Sequence, residues 1–319
     1  MKTYLDYTVM PDFLSRYFPD TDSRLVGSPR TNDSGYFDIV RFYGEGIIYP
    51  QQISVLHQSN LYTFSDTRIE SFAQERITEL KQAGRLYDGP LATRIVSAQL
   101  SGSSPAVTVQ PCNYADQAGS CFSLDWSDER FAEYGGTLRE YYKRIAQTSS
   151  FSEIPFPLCF GVCGFLLIRN AGEPDVILLM HRSGKLASLE NSIGPSMAGA
   201  IDYDEQDCTL QAMLERSASQ EICEELLFEK DEYQLIPLAY AREIFRGERP
   251  QLFCLVVTNL PQKTIVERLR ELKSPEFTRF ECVAFMNGRL SEPAIASLNH
   301  EAKMSYWLMQ EYLAVEKNR

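Results

Sequence analysis

Hydrophobic residues in the second half of the chain form two kinds of pattern that alternate. Continuous apolar runs typical of β-strands cover these segments: 158–169, 175–182, 233–242, 251–258 and 280–286. Apolar positions spaced three and four residues apart, as in helices, cover 209–228, 261–273 and 302–314. A loop rich in Gly and Ser is expected over 183–207, before the first of these helices. This order of elements predicts an α/β layered fold.

The first half of the chain is predicted to be an α+β region. Helical spacing is found over 67–82 and 127–146, although the Gly-Gly pair at 135–136 is placed to interrupt the second helix. Two strands are expected over 91–100 and 106–110, on either side of the turn SGSSP.

A domain boundary is expected at 146–157, where AQTSSFSEIPFP combines small polar residues with two prolines. We therefore predict an amino-terminal α+β domain over 1–150 and a second domain over 151–319.

The predicted helix at 209–228 carries three carboxylates close together. Its apolar residues form a stripe that must face a core: Leu210, Leu214, Ala218, Ile222 and Leu226. Glu221, Glu224 and Glu225 lie beside this stripe at i, i+3 and i+4, so their oxygens can converge on one point. Such like charges repel unless a cation lies between them, and hard divalent ions such as Mg²⁺ or Mn²⁺ prefer oxygen ligands. On the residues alone, the cluster is either a metal site or a solvated acidic face.

Composition and charge exclude several classes of protein. The net charge is −12, and no Lys/Arg cluster is long enough to neutralise the phosphates of a nucleic acid. No apolar run approaches the ~20 residues that span a bilayer, and no membrane partner is expected. The eight cysteines include no CxxC pair, which argues against zinc and favours a reducing cytoplasm. With three histidines in the chain, a Ser–His or Cys–His enzyme is poorly supported, whereas an enzyme of small anionic metabolites remains compatible.

The segment 220–226, QEICEEL, resembles the core of the Nudix box. The full pattern of the box is Gly, five residues, Glu, seven residues, then Arg-Glu-apolar-x-Glu-Glu-x-Gly-apolar. The segment begins with Gln where the pattern has Arg, and Leu227 stands where the pattern has Gly. The upstream Glu and Gly of the pattern would fall on Ala212 and Gln206, so Gly199 is the better counterpart of the opening glycine, with a few residues inserted.

This resemblance implies a fold and a chemistry. The fold is a mixed sheet between helices, with the box as a loop–helix–loop, and the chemistry is the hydrolysis of a diphosphate. Glu221 and Glu225 are expected to hold Mg²⁺ or Mn²⁺, which neutralises the diphosphate and activates a water. Glu224 is expected to assist catalysis, either as a ligand through water or as the proton acceptor. Since Gln220 cannot form the ion pair of an Arg, its amide must orient the neighbouring Glu by hydrogen bonding.

A second resemblance covers parts of the first half. The segments YDGP at 87–90, TRIVSAQL at 93–100 and PCNYADQAG at 111–119 are similar to the region before the Nudix domain in the UDP-glucose/UDP-galactose pyrophosphatase branch. That branch also has Gln in place of the first Arg of the box. The resemblance implies that Tyr87 and Tyr114 contact a uracil ring, because a flat base stacks on a flat side chain.

Further substrate contacts are expected around the loop at 183–207. Arg182 ends the second strand of this half, where its guanidinium can grip a diphosphate with two hydrogen bonds or serve as an ordinary strand-end cation. Lys185 is a weaker phosphate candidate. Gly199 lets the backbone approach metal or phosphate closely, or forms a simple turn. The branch resemblance places Ala187 and Asp202 at ligand contacts.

The sequence therefore predicts a Mg²⁺-dependent pyrophosphohydrolase of a small nucleoside-diphosphate-linked metabolite, with the amino-terminal half helping to bind it. A UDP-sugar is the first candidate and would give UMP and a sugar 1-phosphate. One alternative keeps the chemistry and takes ADP-ribose or a dinucleotide as substrate. The other is a catalytically silent Nudix-like domain that binds a nucleotide and signals through the amino-terminal half. The departures from the box favour this alternative, and the retained glutamates oppose it. No oligomeric state follows from the sequence.

Overall fold

The structure, a computed structural model, describes residues 35–44, 47–146, 150–272, 274 and 276–317. The described residues form the strands β1 Tyr36–Arg41, β2 Ser54–His57, β3 Leu91–Gln99, β4 Ala106–Asn113, β5 Gly161–Ile168, β6 Asp175–Arg182, β7 Ile193–Gly194, β8 Met197–Ala200, β9 Gln234–Glu243, β10 Arg249–Thr258 and β11 Phe277–Phe285. They also form the α-helices α1 Thr67–Gln82, α2 Tyr114–Gly119, α3 Leu138–Ile145, α4 Leu210–Glu221, α5 Gln262–Glu271, α6 Glu292–Ser297 and α7 His300–Lys317.

Most of the predicted elements are present. The strand at 175–182 and the helix at 67–82 have the predicted bounds, and the other predicted strands differ by a few residues at their ends. The helix predicted over 127–146 is wrong as a single element. Gly135 and Gly136, at φ 109° and 89°, separate the 3₁₀ turn Glu129–Tyr134 from α3, because this left-handed backbone ends a helix.

The large sheet is mixed. Its strands run in the order β1-β9-β10-β5-β6-β11, with β8 paired to β5 and β7 paired to β6. The β5–β10 pair is parallel, and each other described pair of this sheet is antiparallel. The predicted α/β class with a mixed sheet is therefore confirmed.

This sheet lies between helices. Successive residues of β5 alternate between two hydrophobic clusters, as the two-residue period of a strand requires. Val162 and Leu166 pack in the cluster that contains the apolar stripe of α4, whereas Cys163 and Phe165 pack in the cluster that contains α7. The stripe residues of the acidic helix, Leu210 to Leu226, are fully buried, so the predicted core face of this helix is confirmed.

The first half contributes to both sheets. Strands β2, β4 and β3 form a separate three-stranded sheet, in which β2 runs parallel to β4. Strand β1, which the sequence pattern does not predict, pairs with β9 at the edge of the large sheet. One hydrophobic cluster contains Phe72 and Val109 from the first half together with Leu166 and Leu214 from the second. The division into domains at 1–150 and 151–319 stays a prediction.

No helix in the described part of the chain combines the length and apolar character that crossing a membrane requires.

Candidate functional site

A cavity of about 610 Å³ lies where the two halves of the chain meet. Its walls come from the segment before β3, from α2, from the ends of β6 and α4, from β8 and from the start of β10. The predicted site residues that line it are Tyr87, Tyr114, Arg182, Ala187, Gly199, Asp202, Glu221 and Glu224. Glu225, the remaining predicted residue, does not line the cavity and lies behind β8, where its carboxylate accepts a hydrogen bond from the Ala198 N–H at 3.0 Å. Predicted site residues from distant parts of the sequence therefore lie around one cavity, with Glu225 behind its wall.

The end of the acidic helix brings its carboxylates against β8. Helix α4 begins at the cap Thr209, whose hydroxyl accepts a hydrogen bond from the Ala212 N–H. After Glu221 the helix widens into a single π turn, Ile222–Leu226, a feature that is frequent at functional sites. Within this turn Glu225 is only 7% exposed.

Gly199 leaves space for the carboxylate of Glu221. A Cβ atom at this position would lie 1.6 Å from the Glu221 Oε1, far inside van der Waals contact. Any other residue would push the end of the Glu221 side chain away, so glycine lets β8 approach the carboxylate this closely. The assignment of Gly199 as the counterpart of the glycine that opens the box stays a prediction.

Buried negative charge dominates this end of the cavity. Burial, followed by the nearby Glu276 and Glu224, raises the pKa of Glu221 to about 8. Burial and the neighbouring Glu221 raise the pKa of Glu225 well above its ordinary value. Glu276, which precedes β11, also has a pKa raised by burial, and Arg182 offsets part of this effect. Glu276 was not predicted, since no local pattern in the sequence separates it from an ordinary loop carboxylate.

The donor chemistry of these carboxylates fits a hard divalent ion. Three glutamates, Glu221, Glu225 and Glu276, come from two elements and repel one another in a buried place, which a bound cation would relieve. In the described residues no group of three His, Cys, Asp or Glu side chains is already arranged to enclose a metal ion. Metal binding at Glu221 and Glu225 therefore stays a prediction.

Gln220 has a defined role in place of the expected arginine. Its amide Nε2 donates hydrogen bonds to Glu224 Oε1 at 3.2 Å and to Asp202 Oδ2 at 3.4 Å. Burial raises the pKa of Asp202, and the amide of Gln220 lowers it in part. The amide therefore holds the two carboxylates in place beside the cavity.

The opposite end of the cavity is basic. Arg246 and Arg249 line it together with Gln251 and Glu301, and Arg182 lies between this end and the carboxylates. The Arg182 Nε is buried and has no hydrogen-bond partner among the described residues. Burial alone would raise the pKa of Glu301, but the three arginines hold it below its ordinary value. Apart from Arg182, these residues were not predicted, because the turn after β9 and the start of α7 are far apart in the sequence.

The aromatic residues expected to read a base differ in their surroundings. Tyr87 is 68% exposed at the mouth of the cavity, and its hydroxyl donates to the Gly84 carbonyl at 3.0 Å. The ring of Tyr114 packs edge-on against Phe122, with 6.0 Å between the ring centroids. Burial raises the pKa of Tyr114, and Arg249 lowers it in part, which places this tyrosine near the basic end. Tyr87 is thus available for stacking, whereas Tyr114 already has an aromatic neighbour.

The loop that carries Ala187 is tied to the first half. Arg85 donates from Nη2 to the Leu186 carbonyl at 2.6 Å and forms an ion pair with Glu190 at 2.9 Å. Ala187 packs against the cluster of Ile77, Leu80 and others that supports this wall. These contacts hold the loop over the cavity.

Comparisons with known proteins assign no family to the chain. No family model matches it, and no curated protein matches it. Among solved structures it is similar to an Ap4A hydrolase of C. elegans, with 16% identity, 50% of this chain and 99% of that chain covered, and a TM-score of 0.34. It is also similar to the Nudix hydrolase RenU of M. smegmatis, with 14% identity, coverage of 49% and 87%, and a TM-score of 0.30. For the protein DR0079 of Deinococcus radiodurans the identity is 17%, the coverage 48% and 83%, and the TM-score 0.32. Similarity at these TM-scores supports no inference about fold or function, so the α/β class rests on the sheet topology itself.

Proposed function

We propose that this protein is a Nudix-type pyrophosphohydrolase that uses a divalent metal ion and cleaves a nucleoside-diphosphate-linked metabolite. The observation that carries the proposal is the pair Glu221 and Glu225, which match the core of the box. Glu221 lines one end of the cavity, and Glu225 is buried behind β8 next to it. Arginines at the other end of the same cavity supply the positive charge that an anionic substrate needs. The mixed sheet between helices agrees with the fold expected for this family.

The acidic end would hold Mg²⁺ or Mn²⁺ through Glu221, Glu225 and Glu276. A divalent ion bound there would neutralise the charge of the diphosphate and lower the pKa of a bound water. The chain holds these carboxylate oxygens in a largely buried position, where the absence of a side chain at Gly199 leaves room for the carboxylate of Glu221.

Two residues at the edge of this acidic end complete the proposed chemistry. Glu224 is exposed to the cavity and is held by the Gln220 amide, which suits it to accept the proton of the attacking water. The buried Nε of Arg182 has no hydrogen-bond partner among the residues that the structure describes, and the side chain lies near Glu276. This suits its guanidinium to bind the diphosphate.

A UDP-sugar is the proposed substrate, with UDP-glucose or UDP-galactose giving UMP and a sugar 1-phosphate. Support comes from the segments around Tyr87 and Tyr114, which resemble the UDP-sugar branch and which both line the cavity. The exposed ring of Tyr87 is free to stack on a uracil, with a gain of roughly 1–3 kcal/mol by analogy with nucleic-acid bases. Ala187 and Asp202 line the wall between this ring and the carboxylates.

A hydrolysis screen tests the proposal. UDP-glucose, UDP-galactose, ADP-ribose and dinucleotides are incubated with Mg²⁺ and then Mn²⁺, and phosphate is measured after treating the products with a phosphatase. We expect UDP-sugars to be cleaved and Glu225→Gln to lower kcat by roughly 100-fold, since even outer partners of metal sites contribute about 10–100-fold.

The matched control is Glu215→Gln, an exposed glutamate on the same helix, which should keep the activity of the wild type. Equal activity of the two variants would show that the buried carboxylate has no part in catalysis. Binding without cleavage of every compound would instead identify a silent nucleotide-binding domain.

A further inference from the structure

The basic end of the cavity contains an arginine with donors to spare. The side chain of Arg249 is 6% exposed, and its Nε donates to the Cys159 carbonyl at 3.1 Å. Its Nη1 approaches Glu301 Oε1 only to 3.7 Å, beyond hydrogen-bond distance. Neither Nη1 nor Nη2 has a hydrogen-bond partner within the described part of the chain, although the residue lines the cavity. Because the residue lines the cavity, these two nitrogens can donate hydrogen bonds to a ligand there.

The sheet is built to let this guanidinium reach the cavity. Gly161, the first residue of β5, lies beneath Arg249, and a Cβ atom there would be 2.1 Å from the Arg249 Nη2. Any larger residue would displace the guanidinium. Gly161 is paired with Gln251 on β10 and with Ala200 on β8. On the side of β8, the floor of the cavity beneath Arg249 is therefore formed by residues with small side chains. The floor therefore leaves room for a ligand group beside Arg249.

The carboxylates nearest to Arg249 are already paired with another arginine. Arg246 forms ion pairs with both Glu243 and Glu301. Arg249 therefore has no hydrogen-bonded carboxylate of its own in the described part of the chain. A carboxylate or phosphate oxygen is the acceptor that suits its two terminal nitrogens.

This basic end is separate from the carboxylates that would hold the metal. Glu221 lies against Gly199 on β8, whereas Arg249 begins β10, and β5 lies between the two strands. Because neighbouring strands are about 4.8 Å apart, β8 and β10 are about 10 Å apart. Glu301 also comes from α7, which packs on the face of the sheet opposite α4. A substrate whose diphosphate lies at the carboxylates would place another part at Arg249.

We propose that Arg249 is the centre of an anion subsite that binds a carboxylate or phosphate group of the substrate other than its diphosphate. The proposal rests on the proposed function, since it assigns the diphosphate to the acidic end. Among nucleoside-diphosphate-linked metabolites such as the UDP-sugars, it favours those that carry an additional anionic group over those with a neutral sugar. Arg182 lies between the two ends and completes the positive wall.

Two matched pairs of compounds test the subsite. UDP-glucuronate differs from UDP-glucose by a carboxylate, and NADP⁺ differs from NAD⁺ by a phosphate, so the pairs distinguish the two sources of charge. We expect the wild type to prefer the anionic member of at least one pair by about tenfold in kcat/KM, which corresponds to about 1.4 kcal/mol. Arg249→Gln should lower that ratio about tenfold.

Controls separate this role from a structural one. Arg249→Lys keeps the positive charge beside Glu301 but cannot form two parallel hydrogen bonds to an anion. It should therefore lower the ratio by a smaller factor than Arg249→Gln does. If Arg249→Gln does not fold, the result for Arg249→Lys decides the test. Arg169→Gln, in an exposed ion pair with Asp175 at the far end of β5, should leave the ratio unchanged. Calorimetric titration of the four compounds into the protein with chelator present measures the same ratios as binding constants, without any need for hydrolysis.

The outcomes are distinct. No cleavage of any compound counts against the proposed function, whereas a binding preference for the anionic member that Arg249→Gln removes still supports the subsite. Equal affinity of the wild type for both members of each pair overturns the subsite. An equal loss for both members in Arg249→Gln also overturns it, because Arg249 would then bind the diphosphate or only support the fold.

Discussion

Leu227 ends the acidic helix in a conformation that suits glycine. Its backbone lies in the left-handed region at φ 57° and ψ 39°, directly after the π turn. The Nudix pattern that this segment resembles has glycine at this position, whereas this chain has leucine. In a non-glycine residue this conformation costs roughly 1–2 kcal/mol. The leucine is therefore expected to be strained.

Replacing Leu227 tests this strain. Leu227→Gly and Leu227→Ala both remove the partly exposed side chain, but only glycine removes the Cβ atom from the left-handed backbone. We expect Leu227→Gly to be more stable than Leu227→Ala by about 1 kcal/mol, even though glycine gains more entropy on unfolding. Urea denaturation of the two variants gives the difference. If Leu227→Ala proves the more stable of the two, the backbone at this position is not strained.

At the scale of elements, the sequence predicts the helices and strands that have a local hydrophobic pattern of their own. The stripe of α4 follows from its helical spacing, and the strands β5 and β6 follow from continuous apolar runs, because both faces of these strands are buried in hydrophobic cores. Strands β7 and β8 escape prediction, since they are short and rich in small residues and form by pairing with β6 and β5. Strand β1 likewise depends on its partner β9.

The candidate site likewise has one part that a local sequence pattern predicts and one part that only the tertiary fold brings together. Its acidic end was predictable because Glu221, Glu224 and Glu225 are neighbours on one helix. The basic end was not, because Arg249 and Glu301 are brought together only by the packing of β10 and α7. Residues that meet through the tertiary fold leave no local pattern in a single sequence.

The acidic end of α4 gives the metal-free protein a definite dependence on pH. Burial raises the pKa of Glu221 from 4.5 to about 8, so between these values the folded state binds more protons than the unfolded state. The resulting stability is fully present below pH 4.5 and is lost as pH rises toward 8. With chelator present, the wild type should therefore lose stability between pH 5.5 and pH 8.

Substitutions on the same helix isolate this effect. Glu221→Gln has no proton to lose and should show a smaller decrease in Tm between the two pH values than the wild type. Glu215→Gln, which is exposed, should follow the wild type. Added Mg²⁺ should raise the Tm of the wild type at pH 8 more than that of Glu221→Gln, since a ligand of the folded state stabilises it. Parallel pH curves for the wild type and Glu221→Gln would contradict the buried carboxylate as the cause.

At the scale of the whole molecule, the two halves share structure on both sides of the expected boundary. Tyr36 of β1 is fully buried in the hydrophobic cluster that contains α7. Its hydroxyl donates a hydrogen bond to Gln251 at 2.8 Å, beside the basic end of the cavity. The other core runs without a break from Phe72 in α1 to Leu214 in α4. Neither half can lose the other without exposing a large apolar surface. The halves should therefore unfold together.

The two tryptophans of the chain allow this cooperativity to be measured. Trp126 lies in the first half, where the Arg76 guanidinium stacks on its ring, and Trp307 lies in α7 of the second half. Trp126→Phe and Trp307→Phe each leave one tryptophan, so the fluorescence of each variant reports the unfolding of one half. In urea, we expect the fluorescence midpoint of each variant to coincide with its own midpoint from far-ultraviolet circular dichroism, because one shared core gives one two-state transition. Comparing each variant with itself removes the effect of the substitution on stability. Separate midpoints for fluorescence and circular dichroism in either variant would show that the halves are independent domains, and the cavity between them would then open before either domain unfolds.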